Sequence, residues 1–98
     1  MALAEIKLAL RAYPDGEALI RPAIEVYRKG SPDNWRRYYA ECLLGAMLEG
    51  MGKTSEAGAL LTSGYRNLAT RRDSIPFEYR SIVDTAAKWA AAIAQPGS

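Results

Sequence analysis

The residues that could do chemistry are few, and their spacing argues against most reactions. Cys42 is the single thiol of the 98-residue chain and histidine is absent, so no imidazole can activate it or complete a zinc cage. It also falls on an apolar helical face with no evident base beside it. The segment Gly50-Met51-Gly52-Lys53-Thr54 ends like a phosphate-binding loop, but it lacks the first glycine at the required distance and any strand before it. A turn between two helices explains it better. Catalysis is therefore not expected, and no cofactor or metal-ligand set is expected either.

Binding chemistry offers little more. Arg36-Arg37 and Arg71-Arg72 are the adjacent arginine pairs, and they could touch phosphates or an acidic partner. With 13 basic against 11 acidic residues, the formal charge of +2 supplies no strong field, so solvated helix faces or helix-end charges account for them and nucleic acid is an unfavoured partner. Trp35 and Trp89 are candidate interface anchors, with core packing as the competing role. A lone cysteine excludes an intrachain disulfide and suits a reducing cytoplasm. Met1 to Tyr13 carries Glu5 and Lys7 within its apolar pattern, unlike a secretory signal, and no run approaches the roughly twenty apolar residues of a membrane span.

The elements that must position these residues are helices. Four breaker-rich clusters, at 14–16, 30–34, 50–54 and 72–76, separate segments with helical spacing of apolar residues. The first helix, near Ala2 to Ala12, puts Leu3, Ile6, Leu10 and Tyr13 on one face, with Pro14 ending it. The second, Gly16 to Lys29, contains Pro22 and should bend or start late there. Ser31 or Asp33 should cap the third, which runs to Gly50 and is so apolar that it must be covered on more than one side. Thr54 should cap the fourth, whose face is Ala57, Leu60, Leu61, Gly64, Tyr65 and Leu68, small Ala57 and Gly64 permitting a close neighbour. Ser74 should cap the fifth, which carries Tyr79, Ile82, Val83, Ala86, Trp89, Ala90 and Ile93.

A repeat of roughly 41 residues runs through this pattern: Ala4, Gly45 and Ala86 superimpose, as do Leu3 with Leu44, Ile20 with Leu61, Ala23 with Gly64, and Leu48 with Trp89. Small residues fall on small and large on large, as stacked helix pairs require. Ala40 to Ala57, continuing to Leu60-Leu61 and Gly64-Tyr65, resembles a tetratricopeptide repeat, especially the longer-period variety of kinesin light chains and bacterial regulators. The matching positions are Leu44, Gly45, Leu48 where the family often has tyrosine, Gly52 at the turn, Ala57, Leu61 and Gly64. Pro22 within the second helix, alanine at positions 4 and 86, and the alanine-rich last helix depart from the family pattern.

The resemblance implies an all-α, right-handed stack of about five antiparallel helices occupying residues 1–95, followed by a flexible tail at 96–98, and working as a protein-interaction or scaffolding module. It places a peptide-binding groove on the first helix of each pair: Glu5 and Leu8; Tyr39, Cys42, Leu43, Ala46 and Glu49; and Arg80, Val83, Asp84 and Ala87. The family's clamp for a terminal carboxylate, built from Lys, Asn and Arg, has no counterpart in the middle repeat. Packing against the fifth helix is the competing role for Tyr39, Cys42 and Leu43. Ala86, Ala87, Ala90, Ala91 and Ala94 form a smooth face on which a second copy could pack, so homodimerisation is the alternative function. Further repeats continuing from either end of a longer protein are a third reading.

Overall fold

The computed structural model describes residues 1–93, and these form an all-α stack of five helices with no strand among them. They are α1 (Ala2–Ala9), α2 (Tyr13–Gly30), α3 (Trp35–Gly50), α4 (Thr54–Thr70) and α5 (Ser81–Ile93). Two short 3-10 turns, Arg72–Ser74 and Phe77–Tyr79, lead into α5. The breaker-rich clusters of the sequence thus correspond to the connections, but several helix ends differ from expectation.

The first helix ends at Ala9, and Pro14 stands in the first turn of α2 instead of terminating α1. Proline needs no amide donor there. The turn between them closes with the Ala12 amide donating to the Lys7 carbonyl at 2.8 Å, and Arg11 takes a left-handed conformation, φ 59°. The turn between α3 and α4 repeats this 41 residues later: Lys53 donates to Leu48 at 2.9 Å, and Gly52 has φ 80°. Both are the glycine-type closure of a helix end, and Arg11 occupies its strained position at a steric cost that Gly52 avoids.

Pro22 neither interrupts nor delays α2, which runs through it from Tyr13. Both Pro22 and Ala18, whose carbonyl loses its helical donor, are exposed, so water can satisfy the freed acceptor. The cap of α3 is Asn34, not Ser31 or Asp33: its Oδ1 accepts from the Arg36 amide at 2.9 Å. Thr54 lies inside α4, which has no side-chain cap, and Ser74 lies in a 3-10 turn well before α5.

The core is built around α3. Its buried residues run almost unbroken from Tyr38 to Leu48, flanked by α2 and α4 with α1 and α5 beyond. The α3–α4 seam is the tightest: a Cβ on Gly45 would lie 2.7 Å from Leu61 Cγ, and one on Gly64 would lie 2.8 Å from Cys42 Sγ. Ala57, Leu61 and Leu68 complete it. The outer helix is different. Leu3, Ile6 and Leu10, expected as its packed face, are 54%, 54% and 69% exposed, and Ala4 is the one buried residue of α1. A helix at the edge of a stack has one neighbour side, and here the small residue faces it.

Candidate functional site

Three helices, α1, α3 and α5, enclose a trough with α3 as its floor. It consists of two cavities of about 350 and 310 Å³ that share Glu5, Tyr39 and Ile82. Met1 and Ala2 form one rim with Trp35, Arg36 and Tyr79 opposite. Leu8, Leu43, Thr85 and Trp89 line the other half.

The side chains are held in place by one another. The Tyr39 hydroxyl donates to Glu5 Oε2 at 2.5 Å, tying α3 to α1. Burial, reinforced by this bond and the Glu5 charge, raises the Tyr39 phenol well above its usual range, so it stays a neutral donor. The Tyr39 ring stacks on Trp89 of α5, centroids 6.4 Å apart and planes 12° apart. Trp35 stacks on Tyr79 at 6.0 Å and 30°, and the Arg36 guanidinium sits 4.5 Å over the Trp35 ring. The trough therefore presents aromatic rings on its floor and on its α5 side, with the Glu5 carboxylate of α1 and the Arg36 guanidinium beside them.

Of the expected groove residues, Glu5, Leu8, Tyr39 and Leu43 come together here. The others lie elsewhere. Cys42 is fully buried against Gly64 of α4, and burial, then the neighbouring Glu41 charge, pushes its thiol up to about 12. A thiol held protonated and sealed from solvent is no nucleophile. Ala46 is half-buried and Glu49 exposed, and neither lines the trough.

On α5 the expected face is displaced. Val83 is core, Asp84 is exposed, Ala87 turns toward α4, and Arg80 is folded back, its Nε donating to the Ile75 carbonyl at 3.0 Å. Ile82, Thr85 and Trp89 face the trough in their place. The 41-residue spacing holds for the core, where Ala4, Gly45 and Ala86 are all buried, but not for the trough: residues 71–80 connect α4 to α5, whereas only 31–34 connect α2 to α3. Ile75 anchors the longer link in the core. The breakers of that link were visible in the sequence, but Ile82, Thr85 and Trp89 were not signalled as groove residues, nor were Trp35, Arg36 and Tyr79.

The alanine face is also divided. Ala86 is fully buried, which removes it from any docking surface, while Ala87, Ala90 and Ala91 line a hollow of about 580 Å³ with Tyr65 and Ala69. Ala94 and the tail at 96–98 lie outside the described residues. Of the paired arginines, one member of each pair is engaged within the chain. Arg37 donates to the Pro32 carbonyl at 3.0 Å, and Arg71 to Asn67 and Asp33 with its guanidinium over the Tyr38 ring. No cluster able to hold a metal ion and no helix long and apolar enough to cross a membrane occurs among the described residues.

The fold and site thus define a small all-α helical stack with an aromatic trough across its first, third and fifth helices. Comparison with known proteins adds no relative: no family model, curated protein or solved structure matches the chain.

Proposed function

We propose that the chain is a protein-interaction module of the tetratricopeptide-like kind, with a right-handed superhelical stack, and that the trough binds an extended peptide segment of a partner protein. The observation that carries this reading is the half-open aromatic lining: Trp35, Tyr79 and Trp89 are partly exposed around the fixed Tyr39–Glu5 pair. Aromatic walls grip the apolar surface of a peptide in any register, while Glu5 and Arg36 can meet its backbone or polar side chains. The repetition of the α1–α2 turn in the α3–α4 turn, 41 residues on, supports a repeat architecture whose first helices share one surface.

Selection of a random peptide library on the immobilised chain tests it. Enriched peptides should bind the purified protein and lose about tenfold or more in affinity when Trp89 is replaced by alanine, a loss expected of an aromatic contact. Peptides that bind W89A and a Trp35→Ala variant as well as the native chain would place recognition elsewhere.

A further inference from the structure

The aromatic trough runs along α3. Trp35, Tyr39 and Leu43 follow one another at four-residue spacing, and Glu5 and Leu8 of α1 accompany them in the same order from the first cavity to the second. At helical rise the floor from Trp35 to Leu43 is about 12 Å long, which about four extended residues span. Each cavity has its own ring pair, Trp35 with Tyr79 in the first and Tyr39 with Trp89 in the second.

The polar groups along this floor favour one kind of extended ligand. Carbonyls inside the three helices are taken up by helical bonds, and no strand edge exists among the described residues to pair with a peptide backbone. Side chains must therefore meet the ligand's backbone, and most of them donate. The indole N–H of Trp35 and of Trp89, the Arg36 guanidinium and the Tyr79 hydroxyl line the trough and make no side-chain hydrogen bond to another described residue. On the accepting side stand the hydroxyls of Ser81 and Thr85 and the Glu5 carboxylate, which already takes the Tyr39 hydroxyl.

An ordinary peptide brings one amide donor per residue, and each one sealed against the trough without an acceptor is costly. Proline brings a carbonyl and no donor. Its conformation is fixed before binding, and proline-rich segments dock in aromatic-lined grooves. Charge agrees with an uncharged occupant, because Glu5 and Arg36 are the charged side chains of the lining and cancel. We infer that the trough receives a proline-rich segment of a partner protein in polyproline II conformation, its rings on the two aromatic pairs and its carbonyls toward the indole and guanidinium donors, which rests on the peptide-binding reading and adds the class of peptide.

The test is an amide-shift titration of the full ¹⁵N-labelled chain with acetyl-nonaproline-amide and with acetyl-(Gly-Val-Thr)₃-amide, a peptide of equal length that keeps its amide donors. The proline peptide should shift residues of α1, α3 and α5 around the trough and bind about tenfold or more tightly than the control. Trp89→Ala and Tyr79→Ala should each weaken it about tenfold. Tyr79 is 48% exposed in a 3-10 turn, so Y79A decides the matter if W89A does not fold. Trp89→Phe, which keeps a ring and loses the indole donor, should cost about threefold. No shift with the proline peptide, equal affinity for the two peptides, or proline binding that survives Y79A overturns the inference. Library-selected peptides without proline that depend on Trp89 and Tyr79 would then leave the trough a peptide site of another class; if no peptide of any kind binds there, the peptide-binding reading falls with it.

Discussion

The α1–α2 and α3–α4 pairs are two versions of one unit with opposite fates. Their turns superimpose at 41 residues, down to the hydrogen bond that closes each helix and the left-handed residue inside it. Ala4 and Gly45 are both buried, as are Ile20 and Leu61. Yet Ile6 is 54% exposed where its counterpart Met47 is fully buried, and exposed Leu3 corresponds to buried Leu44. The local geometry of a helix pair is therefore written into its own residues, while burial is conferred by position in the stack. α3 has neighbours on all sides; α1 has them on one.

The largest effect should come from emptying the central pair. Met47→Ala removes a fully buried side chain that packs on Gly16 of α2, and should cost about 2–5 kcal/mol. A urea unfolding curve measures it, and in a chain of this size such a loss approaches the whole of the stability. If the urea midpoint shifts by less than a quarter of that expected, the α2–α3 contact is looser than described and the contrast between the pairs narrows.

Titration sharpens the same contrast. The Cys42 thiol has an ordinary value of 9.0 and is pushed up to about 12 by burial in the α3–α4 seam. Above pH 9 the unfolded chain releases this proton while the folded chain keeps it, so the folded state binds more protons and stability falls as pH rises. Below pH 9 the group contributes no slope. The expected loss is about 1.4 kcal/mol per pH unit between pH 9 and 12. Tyr39 adds a fall of the same sign above pH 10, its phenol also being raised. Urea midpoints at pH 8 and pH 10 should therefore converge in Cys42→Ala relative to the native chain; equal slopes in both proteins would show that the thiol is hydrated.

What the sequence revealed follows the same division. The five helices, the burial of α3 and the close approach at Gly45, Ala57 and Gly64 could be read because each depends on residues near in the chain or on a seam whose both sides repeat. The exposed face of α1 could not. Leu3, Ile6 and Leu10 have the spacing of a packed stripe, and only the stack's edge leaves them open. Half of the trough was legible through Glu5, Leu8, Tyr39 and Leu43. The α5 half was not, because α5 follows a ten-residue link, 71 to 80, anchored by buried Ile75, and no local pattern reports which of its side chains then meet the trough.

A smaller and opposite effect is expected at the edge turn. Arg11 takes the left-handed conformation that Gly52 takes in the central pair, and it does so with a Cβ. Arg11→Gly should stabilise the chain by about 0.5–1 kcal/mol, the steric relief less the entropy glycine loses on folding. A higher melting temperature is the readout. Gly52→Ala should move it down instead, since a side chain at φ 80° is strained even in open space.

The smallest effect tests the comparison most directly. Ile6 and Met47 are 41 residues apart and occupy equivalent places in their pairs, so a repeat that stored its stability locally would suffer alike from losing either. Ile6→Gln removes an apolar side chain that is more than half exposed and leaves one of similar helix propensity, so stability should change by less than about 0.5 kcal/mol. Measured beside Met47→Ala under identical urea conditions, it reports the contribution of neighbours, because the turn that follows closes with the same hydrogen bond in both. A loss at Ile6 comparable to that at Met47 would mean that α1 is covered in solution, and light scattering on the same two proteins would show whether the cover is a second copy. A negligible loss, with native mass unchanged, leaves α1 as the open end of a stack whose stability resides in α3.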